Sequence, residues 1–242
     1  MRLFGPAFAL ARLYAKRLAR DRFLLGASIY VFGAWLAVGQ LLPSAEDFVQ
    51  ARFGSPLEPW LPLLASYLCA GSGPLLAGII FGFLLLETRE SGVDRALGVT
   101  PLPRSWVVGS SFVWAGLGGA ALTALSGLLV GAALPPVGGL LAVAGLGGLA
   151  AMVAAAVIAQ GADNQVEAFA VLKALNLLTL APALAWLWPG PIELLAGLSP
   201  FYWPAKVWWL AEAGEPWIGW AAGGCVALAL MLGVSLRRLS RR

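Results

Sequence analysis

Glu87, Arg89, Glu90, Asp94 and Arg95 crowd into one polar segment, Glu87 to Leu102, set between two long apolar runs at 60–86 and 106–134. Each run is long enough to cross a bilayer, so the segment is a short connection at a membrane face. Such an island is where a membrane protein can receive force from a soluble partner; the plainer alternative is a solvated hairpin loop. Ser91 followed by Asp94 has capping-box spacing, Val93, Ala96 and Leu97 form a small apolar stripe, and Pro101 with Pro103 ends the pattern. The spacing predicts a short amphipathic helix on the membrane surface.

Bond-making chemistry has little to stand on. The sequence contains no histidine, which removes Ser-His triads, most zinc sites and histidine proton relays. Lys16, Lys173 and Lys206 are the only lysines and none follows a glycine, so no P-loop is present to cradle ATP phosphates. Cys69 and Cys225 fall within apolar stretches, giving no support to a disulfide framework or a metal site. All acidic residues sit at the ends of apolar runs or between them, unlike the buried carboxylates of proton-driven carriers. No catalytic residue is assigned. Lys173, Asn176 and Thr179 recur on roughly one face of a later run, either as part of a substrate path or as ordinary snorkelling and interhelical hydrogen bonding. Phe81, Phe83 and Trp114 are candidate cavity aromatics, with packing or lipid contact as the alternative.

The elements that must position these residues are membrane spans. The 242 residues are 60% hydrophobic and 12% charged, with a mean hydropathy of +0.83, well outside the range of soluble domains. An all-α integral membrane fold in one domain is expected: an interfacial helix over 1–22, six spans within 23–236, and a basic tail at 237–242. The spans are placed near 23–42, 60–86, 106–133, 138–159, 170–188 and 217–236. The first exceeds the roughly 7–15 residues of a signal-peptide core and should stay in the mature chain. Of the 16 Lys and Arg, only Arg52 and Lys206 fall on the side away from the termini. By the positive-inside rule both termini are then cytoplasmic.

Before the first span, Leu3, Ala7, Leu10, Ala11, Tyr14 and Leu18 recur at helical spacing, with Arg12, Lys16 and Arg20 on another face. This predicts a helix lying in the headgroup region, its cations toward anionic lipid. The stretch 189–216 carries Phe201-Tyr202-Trp203-Pro204 and Trp208-Trp209. Aromatic residues at that density suit the membrane interface, and two short helices dipping into the outer leaflet are expected. Gly78/Gly82, Gly127/Gly131 and Gly219/Gly223 have the spacing of close helix contacts, read as packing within one subunit before a dimer seam. Pro74 and Pro182 should kink their spans.

Glu87-x-x-Glu90-x-Gly92, then Leu97-x-x-Thr100-Pro101-Leu102, resembles the first intracellular loop of ABC-2 type permeases, the membrane subunits of one class of ATP-driven exporters. The resemblance implies that Glu87, Glu90, Gly92, Asp94, Leu97, Thr100 and Pro101 form a coupling helix seated on a separate P-loop ATPase subunit. ATP and Mg would be held there, with no cofactor on this chain. It further implies a second copy of the chain or a related permease, a place in the cell membrane, a re-entrant hairpin between spans five and six, and no nucleic-acid partner. Phe81, Lys173 and Asn176 are the candidates for a path taken by an amphipathic or hydrophobic small molecule. Ala162-Asp163-Asn164-Gln165-Val166-Glu167, Leu172-Lys173 and Ser199-Pro200-x-Tyr202-Trp203-Pro204-Ala205-Lys206 are similar to small permeases of the fluoroquinolone-export type. Haem-exporter or lipid-linked-substrate permeases are alternatives within the class, although Val93-Asp94-Arg95-Ala96 departs from the haem-exporter loop. A non-transporting membrane anchor and an intramembrane enzyme are the alternatives outside it.

Overall fold

The computed structural model describes residues 4–90 and 104–239, which are helical with no strand among them. Helix α1 (Phe4–Arg20) ends at Asp21, whose carboxylate accepts the amide N–H groups of Phe23 and Leu24 and so starts α2 (Arg22–Phe53). Helix α2 runs past the expected end at residue 42, through Pro43, and closes at Gly54 with φ of 66°. At 1.5 Å per residue its 32 residues reach about 48 Å, more than the roughly 30 Å hydrocarbon core. The polar turns around Glu46, Asp47 and Gln50 therefore project beyond it. The cost of Pro43 is local, and the residues beyond it still favour helix.

A 3₁₀ turn (Glu58–Trp60), α3 (Leu61–Ser66), a π-helical turn (Tyr67–Gly71) and α4 (Ser72–Glu90) together make the second long segment. The wide turn is braced by Trp35 of α2, fully buried, whose indole N–H reaches the Leu68 carbonyl at 3.2 Å and the Ser72 hydroxyl at 2.9 Å. Pro74 sits just after that turn, so the irregularity lies N-terminal to the proline rather than at a kink in mid-span. Then follow α5 (Arg104–Val130), α6 (Val137–Gly161), α7 (Gln165–Leu178) and α8 (Ala181–Leu187), the last two separated by a break at Thr179–Leu180 just before Pro182. Two short helices, α9 (Pro191–Ala196) and α10 (Tyr202–Glu212), precede α11 (Ile218–Leu239). Six of these segments are long and apolar enough to cross a membrane, from Arg22–Phe53 to Ile218–Leu239. The chain is a multi-pass membrane protein.

Helices α4 and α6 are the buried centre; α2, α5, α7 and α11 wrap them and keep apolar faces outward. Close approach is carried by small residues, as expected where lipid tails are as apolar as leucine and only packing separates one helix arrangement from another. A Cβ on Gly78 would stand 2.5 Å from that of Ala154, and one on Gly82 would stand 2.9 Å from that of Ile158, so this pair seats α4 on α6. Gly148 faces the Gly116 carbonyl of α5, where a Cβ would come within 2.6 Å. Gly78 and Gly82 thus serve packing inside the subunit, whereas Gly219 has open space before it.

The tryptophans of α10 point inward. Trp208 is fully buried and donates to the Ala133 carbonyl at 2.9 Å; Trp209 donates to the Ser66 hydroxyl at 2.7 Å. The two short helices expected in 189–216 are present, but these indoles are core plugs rather than lipid-facing anchors. Their N–H groups found partners inside the bundle, which interfacial water would otherwise have supplied.

Replacing Gly148 by Leu should destabilise the fold by about 1–3 kcal/mol through overpacking against backbone that cannot yield. Gly145→Leu, one turn away with nothing within 4 Å of its Cβ position, should leave thermal unfolding in detergent within a degree or so of the parent.

Candidate functional site

The last turn of α4 gathers the bundle at the end where most Lys and Arg lie, the basic face. Three consecutive residues each reach a different helix. The Thr88 hydroxyl, buried, accepts from the Arg17 guanidinium of α1 at 3.2 Å. Arg89 donates to the Ala159 carbonyl in the last turn of α6 at 2.7 Å. The Glu90 carboxylate accepts the Gln165 amide N–H, at the start of α7, at 2.9 Å. Three successive side chains leave a helix about 100° apart, which is why one turn can hold α1, α6 and α7 at once.

The α7 start is itself a closed capping box. Asn164 accepts the Glu167 amide at 3.0 Å, and Glu167 accepts in return from the Asp163 amide at 2.9 Å and the Asn164 side-chain amide at 2.8 Å. Glu90 therefore satisfies an amide of the first turn that the box leaves over, and adds negative charge where the helix dipole favours it. The Asp163-Asn164-Gln165-Val166-Glu167 connection, a separate loop in the sequence, is physically joined to the end of α4.

Glu87 and Glu90 lie in this described turn, Glu87 half-buried and Glu90 exposed. Gly92, Asp94, Leu97, Thr100 and Pro101, with the helix expected around them, fall outside the described residues. Thr88 carried no signal of its own in the sequence. Arg17 could have been found as the one cation of the N-terminal helix off the Arg12, Lys16, Arg20 face.

Above this turn, a cavity of about 430 Å³ opens between α1, α2, α4 and α5. Phe81 and Trp114 line it, with Tyr14 and Phe32. The Tyr14 and Ser111 hydroxyls share a 2.6 Å hydrogen bond, and the Tyr14 ring meets Phe81 edge-on at 5.8 Å. Phe83 is elsewhere, in a three-ring cluster with Phe23 and Phe169 at centroid distances of 4.8–5.5 Å, joining α2, α4 and α7. Lys173 and Asn176 do not line this cavity. Both are exposed on α7, while Thr179 is buried; the Asn176 amide donates to the Leu172 carbonyl and the Thr179 hydroxyl to the Asn176 carbonyl. The structure does not bring these three together with Phe81.

On the opposite face Glu193 of α9 accepts from Lys206 and from the Tyr202 hydroxyl, each at 2.6 Å, and the Lys206 ammonium stands 4.9 Å over the Trp220 ring of α11. The Lys206 contact, then the Tyr202 hydrogen bond, hold the Glu193 carboxyl below the ordinary glutamate range. Burial, then the hydrogen bond to Glu193, push the Tyr202 phenol up.

A family model described as "Fluoroquinolones export permease protein Rv2686c-like" matches residues 14–236, from the α1 tyrosine to the last span. The chain belongs to this family. Two relatives are the fluoroquinolones export permease proteins MT2760 and Rv2686c of Mycobacterium tuberculosis strains CDC 1551 / Oshkosh and ATCC 25618 / H37Rv. Each is 29% identical over 206 residues, covering 83% of this chain and 81% of the relative. As a member of the Rv2686c-like family, the chain is a membrane transport permease. The matched region takes in α2 to α10 whole, with the end of α1 and most of α11, and so includes the turn Thr88–Glu90 and the cavity wall.

Because the Glu193 carboxyl is depressed, its contribution to stability is full above the ordinary carboxylate range and is lost as pH falls through the lowered value. Glu193→Gln should therefore melt below the parent at neutral pH, and the gap between the two should close as the solution is taken below about pH 4. A gap that is constant across pH would mean the carboxylate charge contributes nothing.

Proposed function

We propose that this Rv2686c-like permease is the membrane half of an ATP-driven exporter. It moves an amphipathic aromatic drug, of the class its relatives are named for, out of the cytoplasm. The observation that carries this reading is the turn Thr88–Glu90. It immediately precedes segment 91–103, whose residues resemble a coupling helix, and it is hydrogen-bonded to three other helices. A push delivered to that segment by a closing ATPase would reach α1 through Arg17, α6 through the Ala159 carbonyl and α7 through its first-turn amide, all within one turn.

In this reading the basic face is cytoplasmic, in keeping with the segregation of Lys and Arg. ATP and Mg belong to a separate P-loop subunit, because the chain has no motif to hold them. A second copy would complete the transport unit. The glycine-seated centre α4–α5–α6 moves as one piece, and the change of access is a rigid-body rocking of packed helices against neighbours rather than a remodelling of any one helix.

The test is reconstitution of the permease with its ATPase subunit in vesicles, reading drug transport and ATP hydrolysis side by side. Gly92→Pro and Leu97→Asp should lower transport at least tenfold while hydrolysis and membrane insertion persist. Glu90→Ala, which frees the Gln165 amide but leaves the segment intact, should lower transport severalfold. Full transport in all three variants, or a purified permease that retains no ATPase, would refute the coupling assignment.

A further inference from the structure

Among the described residues two cavities are of almost equal size, and their linings differ in kind. The one between α6, α7 and α11, about 410 Å³, is walled by aliphatic side chains such as Val153, Val157, Leu175, Leu178 and Met231, with no aromatic residue. The one between α1, α2, α4 and α5, about 430 Å³, has four rings from four different helices: Tyr14, Phe32, Phe81 and Trp114. Flexible acyl chains fit aliphatic slots. Flat rings gain most where they can stack on, or meet edge-on, the faces and edges of other rings.

We infer that the α1–α2–α4–α5 cavity is the site where this protein binds a planar, amphipathic aromatic molecule, an inference that rests on the export reading above. Its volume falls in the range of small-molecule sites. Its lining is almost wholly apolar; the hydroxyls on it belong to Tyr14, bonded to Ser111 at 2.6 Å, and Ser28. Ser28 is committed elsewhere, donating to the Leu24 carbonyl at 2.8 Å.

Access comes from the side. Ala121 and Ala15 are exposed lining residues, so small side chains form the rim where the cavity meets the surrounding lipid. Leu84 and Trp114 stand within about 9 and 15 Å of the basic-face ends of α4 and α5, at 1.5 Å per residue from Glu90 and Arg104. Leu76 and Ala121, about 21 and 26 Å from the same ends, line it as well, so the cavity runs from the leaflet on that face past the middle of the bilayer, and a drug that has partitioned into the membrane from the cytoplasm would meet its near end first. Helix α1 is its floor, and that floor is tied to the Thr88 turn by Arg17. Movement of the turn would deform the binding site directly.

The test uses the full chain in phospholipid nanodiscs and the fluorescence of norfloxacin, a fluoroquinolone, as the probe. Saturable binding is expected. Ala121→Trp, which plugs the rim from an exposed position, should weaken it at least tenfold. Phe81→Ala should weaken it roughly three- to tenfold, the worth of one aromatic contact. Leu128→Trp, exposed on the same helix beyond the cavity, should bind within twofold of the parent. Each variant is accepted only with a monodisperse profile and a melting temperature near the parent's; should Ala121→Trp fail this, Ala15→Trp at the same rim takes its place. Absence of saturable binding, parental binding by both the plugged and the Phe81→Ala variants, or equal loss in Leu128→Trp would overturn the inference. So would binding in detergent that disappears in nanodiscs, which would give the cavity to an acyl chain. Efflux of norfloxacin from vesicles separates this from the reading it rests on. Efflux that persists in the plugged variant rejects the cavity alone, whereas no efflux by the parent with its ATPase rejects the export reading.

Discussion

Helices in hydrocarbon have no hydrophobic force to draw them together, so this bundle depends on how closely backbones can approach. The contact of α6 with α4 and α5 is the decisive one. Gly148 lies against the Gly116 carbonyl, Gly119 against Ala151, and Gly147 against Thr123. None of these positions has room for a side chain. With α6 fixed, the Ala159 carbonyl stands where Arg89 can reach it, the α7 cap stands where Glu90 can complete it, and Trp208 has a slot beside Ala133. The clamp on the basic face and the plug on the opposite face are both consequences of where α6 sits.

Much of the frame was legible in the sequence because the physics of crossing a bilayer is written in run lengths. The apolar runs mark out the six long apolar segments that the structure contains. The polar island was legible as an island. What it does at Thr88, Arg89 and Glu90 was not, since hydrogen bonds between residues 71, 70 and 75 apart in the chain leave no trace in local spacing. Phe83 and Phe81 illustrate the limit. Two residues apart on one helix, they point about 200° apart, one into a ring cluster and the other into a cavity, and composition cannot assign which is which. Trp208 and Trp209 were read by a rule about interfaces that fails when the indole N–H has an internal partner.

The two faces of the bundle are built differently. On the basic face, among the described residues, hydrogen bonds from one turn reach three helices. On the other face, indoles buried to their N–H groups join α10 to α3 and to the connection between α5 and α6, and Lys206 joins α9, α10 and α11 through Glu193 and Trp220. The clamp lies on the basic face, and the cavity opens above it.

The π-helical turn at Tyr67–Gly71 carries a further implication. Such a turn holds one residue more than an α-helix would need, and its wide carbonyl is already served by Trp35. Loss of a single amino acid here would let the helix close into ordinary geometry with everything beyond it in register. The same loss inside α4 would swing Leu76, Ile80 and Phe81 by about 100° and turn the cavity wall to a different neighbour. Natural length variation in the second span should therefore be concentrated at this one bulge, and an engineer who wants to retune that wall without touching its residues has a single place to shorten the chain without harm and many places to rotate it.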